Sequence, residues 1–482
     1  MSQEKFIPPL SCGAGDSRQP RNVVFLFDGT GDTDDNDVTN VIRFRDMLYN
    51  HPPLKRGGTT SQDQENPRQI VFYRPGIGTW DPSGHSRLYG FRLVSQAWDK
   101  AVAWNFESHV ITAYKELTHA YKERDRICLF GFSRGAYTAR AVAAMIGSFG
   151  ILRPGKESRN EANFKKIQEI YFRPSKSSFN GASLKRFRNE TKEFREKHRI
   201  FKVTIEIVGV WDTVNSVGLI MKTGSMYTSS NLHLKTLRHA IALDERRARF
   251  DRAMWRHKPG FKTDIEQVWF AGAHCDVGGG SVKNGTKHNL ANIPLRWMIR
   301  ECFKTQTGIV FDYNKLQSIG IDIASLHPII QPRPEALCLR ENSVIQTAGS
   351  SRDKYPFPIN AKTEEEHDHN DALTPIHDRL SEAPLWGVLE VFKLSKYEPV
   401  SGKRVTERNL WKGRKIWIAL PESGKEPEGG TLSEGRIKVH RSVRMRMMAK
   451  SMDRPYVPAA ALHLTSEKKR FNTDSEHIEW VD

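Results

Sequence analysis

Three polar residues of this 482-residue chain, Ser133, Asp212 and His274, have the types and the order that nucleophilic catalysis requires. A serine hydroxyl becomes a good nucleophile only when an imidazole takes its proton. A carboxylate on the other ring nitrogen then fixes the tautomer and stabilises the imidazolium. We therefore predict that Ser133 is a nucleophile, His274 its base and Asp212 the acid that orients the base.

The sequence around Ser133 predicts the turn that such a nucleophile needs. Gly131-Phe-Ser-Arg-Gly135 follows the apolar run Ile127–Phe130, and apolar residues then recur at helical spacing over Ala136–Ile146. Strand, Gly-x-Ser-x-Gly and helix in this order form the pattern of a nucleophile elbow. The glycines Gly131 and Gly135 would let strand and helix pass closely. The alternative is a glycine-rich turn whose serine only caps the helix.

Asp212 and His274 follow two other apolar runs, Val203–Val210 and Gln267–Ala271. The carboxyl ends of parallel strands emerge on one edge of a sheet, so we expect these side chains to meet Ser133 there. An oxyanion formed at that edge could be bound by the backbone N–H of Arg134. We expect the turn after the first strand to supply a second donor; its residues are Asp28, Gly29 and Thr30.

Other assignments remain open at this stage. Asp276 competes with Asp212 for the role of the acid, and His239 and His440 are rival bases. Asp28, His274 and Asp276 could instead hold Mg²⁺, Mn²⁺ or Zn²⁺, because carboxylate and imidazole suit these ions. We predict no metal and no cofactor.

Strands alternate with helices over residues 21–310, which predicts an α/β fold. The expected architecture is a mostly parallel sheet with helices on both faces, like that of an α/β-hydrolase. Further predicted strands are Val23–Phe27 and Gln69–Tyr73; further predicted helices are Val41–Leu48, Phe106–Tyr121, Leu237–Phe250 and Leu290–Phe303.

We divide the chain into a disordered N-terminus (1–20), a catalytic domain (21–310) and a C-terminal extension packed on the core (311–482). Residues 153–200 form a basic insert of the catalytic domain. Lys156–Arg199 alone carries a net charge of +7 out of +18. Its scattered aromatic residues are Phe164, Tyr171, Phe172, Phe179, Phe187 and Phe194. Phe187 and Phe194 allow a helix with one apolar stripe, and the aromatic side chains could enter the interfacial layer of a membrane. The insert could act as a lid, dock on an anionic membrane, or simply be a solvated loop.

Two charged stretches could bind a metal ion but are read as solvated loops. The first, with Asp32, Asp34, Asp35 and Asp37, lacks the spacing of a calcium-binding EF-hand and leads to a helix cap at Thr39. The second is Thr363–Asn370, with His367 and His369. In the same extension, Lys415–Ile418 and Arg436–His440 could pair as strands.

Composition narrows the class of protein. No apolar run approaches the roughly eighteen residues of a membrane-spanning helix, and the first residues have no apolar core of a signal peptide. The five cysteines are widely spaced and indicate reduced thiols, so we expect a cytoplasmic protein. Such a protein could also contact an anionic membrane peripherally through its basic insert. The charge would also suit nucleic acid, but it is concentrated in one insert, so we do not expect that partner.

Seven blocks of this sequence, in order over about residues 20–310, resemble the DUF2235 family, which includes the catalytic domain of Tle1-type phospholipase effectors of type VI secretion. The resemblance implies an α/β-hydrolase fold and hydrolysis of lipid esters, with Ser133, Asp212 and His274 at the positions of nucleophile, acid and base. The basic insert is longer than in compact members. The blocks are VVFLFDGTGDT, YRPGIGT, GFSRGAYTAR, VGVWDTVNSVG, ALDERR, WFAGAHCDVGGG and IPLRWMIRECF.

The sequence thus predicts a serine hydrolase that cleaves carboxylic esters, with a phospholipid or lysophospholipid as substrate. The alternative is a catalytically silent protein of the same fold that binds anionic membrane or nucleic acid through its basic face.

Overall fold

The protein is described here from a computed structural model. The structure describes residues 6–7, 20–29, 38–49, 68–76, 93–156, 161–173, 181–214, 233–250, 252–255, 262–337, 361–382, 394–398, 403–419, 433–434, 436–449, 455–463, 468–469 and 471–482.

Helices and strands alternate along most of the described chain. The helices are α1 (Asn40–Met47), α2 (Leu93–Ala120), α3 (Ser133–Phe149), α4 (Glu161–Phe172), α5 (Gly181–Lys197), α6 (His274–Gly278), α7 (Asn292–Lys304), α8 (Tyr313–Ser318), α9 (Glu364–Ala372), α10 (Arg379–Glu382) and α11 (Arg441–Met448). The strands are β1 (Phe6–Ile7), β2 (Asn22–Phe27), β3 (Gln69–Arg74), β4 (Arg126–Phe132), β5 (Ile151–Leu152), β6 (Ile200–Phe201), β7 (Ile205–Trp211), β8 (Leu234–Ala242), β9 (Asp264–Phe270), β10 (Phe311–Asp312), β11 (Leu394–Glu398), β12 (Lys403–Glu407), β13 (Lys415–Ala419), β14 (Ser433–Glu434), β15 (Ile437–His440), β16 (Ala461–His463), β17 (Lys468–Lys469) and β18 (Ile478–Val481).

Eight strands form the central sheet, in the order β18-β15-β9-β8-β7-β4-β2-β3. Every neighbouring pair in it is parallel. The predicted α/β fold with a mostly parallel sheet is therefore confirmed. All these strands end at one edge of the sheet, which is where the sequence placed the candidate site residues.

Helices cover both faces of this sheet, as predicted. Side chains of β2 alternate between the faces: Val23 and Phe25 pack with α2, α3, α4 and α5, whereas Val24 and Leu26 pack with α1 and α7. Burial on both faces explains why the central strands are apolar runs without polar alternation.

The segment Leu237–Phe250 is not a helix, so that prediction is wrong. Its first half belongs to the strand β8, which pairs with β7 on one side and β9 on the other. Ala, Leu and Arg favour helices locally, but here pairing on both edges of the strand outweighs their preference.

The aromatic residues of the basic insert pack inward. The helices α4 and α5 lie against the face of the sheet that α3 covers. The side chains of Phe164, Tyr171, Phe172, Phe187 and Phe194 are buried in that core. The prediction of a helix with one apolar stripe through Phe187 and Phe194 is confirmed by α5. Because these five side chains are buried, the idea that they enter a membrane is wrong; Phe179 lies outside the described residues.

Thr363–Asn370 is not a loop, which corrects a second prediction. It forms the start of α9, with Thr363 and Glu366 making a reciprocal capping box. The helix is anchored by buried ion pairs: Arg296 contacts Asp368 (2.5 Å) and Asp371 (2.6 Å). These partners lie about 70 residues away in the chain, so no local pattern could reveal them.

The C-terminal extension contributes to the central sheet. Lys415–Ala419 and Ile437–His440 are strands, but they do not pair with each other as expected. Instead β15 joins β9 and β18 in the central sheet, while β13 pairs with β14 and β16 in a smaller one. The extension is therefore continuous with the catalytic core.

Two smaller points complete the fold. The predicted cap at Thr39 is confirmed, because its side chain accepts a hydrogen bond from the N–H of Ile42 at the start of α1. The four aspartates before it, at 32–37, lie outside the described residues. Within the described ranges, no helix has both the length and the apolar character needed to cross a membrane.

Candidate active site

Ser133 lies in a sharp turn between β4 and α3. Its φ is +58°, a left-handed conformation that side chains rarely adopt. The turn depends on its glycines: a Cβ on Gly131 would lie 2.6 Å from the carbonyl group of Gly135. A Cβ on Gly135 would collide with the backbone carbonyls of Phe27, the last residue of the neighbouring strand β2, and of Asp28, which follows it. Strand and helix therefore approach as closely as a nucleophile elbow requires.

The three candidate residues form one chain of hydrogen bonds. His274 Nε2 lies 2.8 Å from Ser133 Oγ, and His274 Nδ1 lies 2.6 Å from Asp212 Oδ2. The three side chains come from three elements: the start of α3, the end of β7 and the start of α6. All three are buried, with at most 5% of each residue exposed.

Asp212 is held in an unusual backbone conformation directly after β7. Its φ is +35°, so it lies, like Ser133, in the left-handed region. Its own N–H donates to Ala240 O, and its Oδ1 accepts from the N–H of Ala242 at 2.9 Å. Both contacts are made to β8, so the neighbouring strand fixes the carboxylate. Left-handed, strained residues cluster at functional sites, where the surrounding structure maintains them.

A fourth side chain, Arg414, joins this network from the C-terminal extension. Its Nη1 donates to Asp212 Oδ1 at 2.6 Å and its Nη2 to Asp212 Oδ2 at 2.9 Å. Only 4% of the side chain is exposed. Asp212 is thus placed between two basic groups, His274 and Arg414.

These contacts set the ionisation of the site. Burial would raise the pKa of Asp212, but the charge of Arg414 and the hydrogen bond and charge of His274 hold that pKa far below its usual range. Burial lowers the pKa of His274, and the hydrogen bond and charge of Asp212 oppose this only in part. At neutral pH the structure therefore combines a carboxylate with a neutral imidazole that can accept a proton.

Two aromatic rings and a second ion pair surround His274. The ring centroids of Phe132 and Phe250 lie 4.6 Å and 5.0 Å from that of His274. Glu245 Oε2 accepts from the N–H of His274 at 3.3 Å and from Arg247 Nη2 at 2.8 Å. These contacts fix the start of α6, and therefore the imidazole, relative to β8.

The predicted oxyanion contacts have different outcomes. Arg134 is the second residue of α3, and an N–H in the first turn of a helix has no partner within that helix. The N–H of Gly29 is instead bonded to Asp28 Oδ1 at 2.7 Å, and Thr30 lies outside the described residues. Asp28 also accepts from Thr39 and from Tyr73, at 2.8 Å each, so this carboxylate fixes the turn after β2.

The rival acid contacts other groups. Asp276 Oδ1 lies 2.8 Å from Nδ1 of His377, and its Oδ2 accepts from the N–H of Ala273 at 2.9 Å. Asp212, and not Asp276, therefore contacts the imidazole of His274.

The rival bases are also engaged elsewhere. His239 Nε2 accepts from the N–H of Thr213 at 3.2 Å, and Nδ1 of His440 lies 2.8 Å from Ser442 Oγ. Among the residues described by the structure, no three His, Cys, Asp or Glu side chains are grouped as metal ligands. The structure therefore does not bring Asp28, His274 and Asp276 together as a metal site.

Two members of this network were missed from the sequence. Glu245 lies in the motif ALDERR, within the stretch Leu237–Phe250 that the sequence predicts as a helix, and nothing local indicates its contact with α6. Arg414 lies in WKGRKIWI, where nothing local distinguishes this arginine from the many others of a basic chain. Its contact with Asp212 spans 202 residues of sequence.

Comparison with known proteins assigns the chain to a family. Residues 21–301 match the family model described as "T6SS, Phospholipase effector Tle1-like, catalytic domain". The chain belongs to this family. The matched residues include Ser133, Asp212 and His274, whereas Arg414 lies more than 100 residues beyond the match.

Individual relatives are more distant. An uncharacterized protein of Saccharomyces cerevisiae, YEL023C, is 28% identical over 252 residues, which are 50% of this chain and 34% of that protein. This Tle1-like chain therefore matches about a third of the length of that relative.

Two solved structures match part of this chain with low similarity. A crystal structure of an uncharacterized protein from Pseudomonas aeruginosa is 18% identical, covers 60% of this chain and 47% of its own, and has a TM-score of 0.32. The Tle1 effector bound to the VgrG spike of the type VI secretion system is 16% identical, covers 58% and 57%, and has a TM-score of 0.27.

Proposed function

We propose that this protein is a serine hydrolase that cleaves carboxylic esters, with phospholipids or lysophospholipids as the substrate class. Ser133 is the nucleophile, His274 the general base and Asp212 the residue that orients His274. The observation that carries the proposal is the unbroken hydrogen-bonded chain from Asp212 Oδ2 through both ring nitrogens of His274 to Ser133 Oγ.

The reaction follows from this order of contacts. His274 Nδ1–H donates to Asp212, so Nε2 is free to accept the proton of Ser133 Oγ as that oxygen attacks the ester carbonyl carbon. The N–H of Arg134 donates to the oxyanion that develops on the carbonyl oxygen. The imidazolium returns the proton to the departing alcohol and leaves an acyl-serine. A water molecule then attacks the acyl carbon as His274 takes its proton. The bond from that carbon to Ser133 Oγ breaks, the imidazolium returns the proton to Oγ, and the fatty acid leaves.

The substrate class rests on two supports. The family description names a phospholipase, and the surface near the site is basic. A cavity of about 370 Å³ is lined by Gly279, which directly follows α6, and by the cations Arg43, Lys283 and Lys287; the three triad residues do not line it. Burial lowers the pKa of Arg43 to about 10, but the side chain stays cationic at neutral pH. An anionic head group would be attracted to this side of the site. A cytoplasmic location remains a prediction from the cysteine usage.

Labelling with a fluorophosphonate probe tests the nucleophile directly. We expect the probe to modify Ser133 in the parent protein and to leave Ser133→Ala unlabelled. Hydrolysis of short- and long-chain esters and phospholipids should fall by about three orders of magnitude or more in that variant, because a triad serine supplies that much.

The matched control is Ser148→Ala. This serine lies in the same helix, α3, and its hydroxyl donates only to Ala144 O. It should label and turn over like the parent. Turnover of Ser133→Ala within about tenfold of the parent would contradict the proposal. A parent protein that neither labels nor hydrolyses any ester would favour the second function, a silent protein that binds anionic surfaces.

A further inference from the structure

The C-terminal extension inserts one arginine into the proposed catalytic network. Arg414 has its guanidinium on both oxygens of Asp212, and the same group donates to Ala242 O (2.9 Å) and Phe250 O (2.6 Å). It therefore connects the carboxylate to the strand β8 and to the segment that carries Phe250 against His274. A buried guanidinium with four such contacts has one geometry only.

We propose that Arg414 is a positioning residue of the active site, which fixes the Asp212 carboxylate and limits the basicity of His274. The proposal rests on the proposed function of Ser133, Asp212 and His274. It makes the C-terminal extension, which lies beyond the residues matched by the family model, a necessary part of the catalytic unit.

The first argument concerns the lone pairs of Asp212. A carboxylate has about four acceptor positions. Oδ1 uses its two for Ala242 N and Arg414 Nη1, and Oδ2 uses its two for His274 Nδ1 and Arg414 Nη2. Every position is filled, so the carboxylate cannot rotate away from the imidazole. Without Arg414, half of these contacts would be lost.

The second argument concerns charge. Arg414 and His274 contact the same oxygen, Oδ2, so an imidazolium would form directly beside a guanidinium. The positive charge of Arg414 neutralises part of the negative charge that would otherwise stabilise the imidazolium. Removing it should therefore raise the pKa of His274.

Other charges around the site stay constant in this comparison. Within the described residues, the charged or titratable groups that face Asp212 and His274 from neighbouring elements are Glu245 and Arg247, which pair with each other, and His239 on β8. Burial lowers the pKa of His239 to about 3, so it stays neutral over the working range. The charge of Arg247 lowers the pKa of His274 and that of Glu245 raises it, and both residues stay in place in every variant, so a moved acid limb would report the loss of Arg414.

The position of Arg414 is fixed by its own backbone. Its carbonyl accepts from the N–H of Ala461 in the pairing of β13 with β16. A Cβ on the preceding Gly413 would collide with the backbone of Ala459, so the chain passes closely at this point. Asn409 Nδ2 donates to Arg246 O at 2.7 Å, which ties the same loop to the segment after β8. The C-terminal extension therefore contacts the segments around the candidate site at several points.

The test compares Arg414→Met and Arg414→Lys in the full chain, using a soluble short-chain ester over a range of pH. In Arg414→Met we expect kcat/KM to fall about tenfold to a hundredfold, because the carboxylate loses its fixed position. We also expect the acid limb of the profile to move upward by about one pH unit. Arg414→Lys keeps the charge but not the two-pronged contact, so its acid limb should stay near that of the parent while kcat/KM falls.

The matched control is Arg446→Met. Arg446 is another buried arginine of the extension, and its guanidinium donates to Ala372 O and Thr374 O, away from the triad. It should reduce thermal stability without moving the acid limb.

A profile for Arg414→Met that matches the parent in height and position would overturn the proposal. So would a loss of activity with an unmoved acid limb and the same drop in Tm as Arg446→Met. If Ser133→Ala keeps its activity, the proposed function fails; if only the Arg414 variants behave like the parent, this inference fails alone.

Discussion

The side chains of the proposed triad are presented by backbone conformations that most residues avoid. Ser133 and Asp212 both have positive φ, and neither is a glycine. Each follows a central strand and lies where its hydroxyl or carboxylate projects past the edge of the sheet. The cost of these conformations is offset by the contacts that hold them, such as the N–H of Ala242 on Asp212.

A prediction at this scale separates the two candidate acids. Asp212→Asn should lower kcat by about 10⁴, because an amide in place of the carboxylate favours the wrong tautomer of His274. Asp276→Asn should keep most of the activity, since Asp276 contacts His377 and the N–H of Ala273. Steady-state kinetics on a soluble ester, with circular dichroism to check folding, measures both. Equal losses in two folded variants would contradict the assignment.

The three members of the proposed triad could be selected from the sequence, whereas the residues that contact and support them could not. The turn could be predicted because its pattern is local: Gly131, Ser133 and Gly135 lie within five consecutive residues. Asp212 and His274 could be selected because each follows an apolar run that reads as a strand. Arg414 had no such signal, because its role depends on a contact between segments 202 residues apart.

At the scale of elements, the errors arose where long-range pairing decides the structure. The strand β8 contains Arg238, whose guanidinium is buried in contacts with Asp264 and Glu301. Because this polar side chain is buried, β8 lacks the alternation of polar and apolar residues that marks a half-exposed strand. The helix α9 is polar all round, and apolar periodicity therefore could not reveal it. Its capping box, Thr363 with Glu366, was present in the sequence and would have located the helix start.

The elbow itself provides a prediction about packing. Gly135→Ala should destabilise the protein by about 1–3 kcal/mol or prevent folding, because the new methyl group would collide with the carbonyls of β2. Activity should fall with it, since Ser133 lies two residues away. Gly181→Ala is the control: no atom lies within 4 Å of the added Cβ, at the start of α5. Denaturant unfolding compares the two variants. A Gly135→Ala protein as stable as Gly181→Ala would show that strand and helix are less close than described.

At the scale of the whole molecule, the basic insert lies on one face of the central sheet, whereas the candidate site lies at the edge where the strands end. The helices α4 and α5 pack on the face of the sheet that α2 and α3 cover, and their apolar side chains point inward. Their exposed side chains carry more positive than negative charge: the cations are Lys165, Lys166, Lys185, Arg186, Arg188, Lys192 and Lys197, and the anions Glu161, Glu169, Glu193 and Glu196. The structure therefore favours a rigid charged surface over a mobile lid.

This surface predicts binding to membranes by charge alone. The protein, with a net charge of +18, should co-sediment with vesicles that contain phosphatidylserine and not with neutral phosphatidylcholine vesicles. Raising the salt concentration should release it, because exposed charges are screened beyond about 10 Å at 0.1 M salt. Lys185, Arg188 and Lys192 lie along one side of α5, and each cation near such a surface contributes about 1 kcal/mol. Replacing all three with Gln should weaken binding about a hundredfold at low salt.

A second triple variant keeps the comparison free of net-charge effects. Lys304, Lys315 and Lys362 are also exposed, but they lie at the end of α7, in α8 and directly before α9, on the opposite face of the sheet. Replacing these three with Gln removes the same charge, and vesicle binding should change little if α4 and α5 form the docking surface. Equal weakening by the two triple variants would mean that total charge, and not the insert, drives association. Equal binding of the parent to neutral and anionic vesicles would exclude both the insert and the total charge as the cause of binding. Neutral lipid carries no net charge to attract cations, and the aromatic side chains of α4 and α5 are buried.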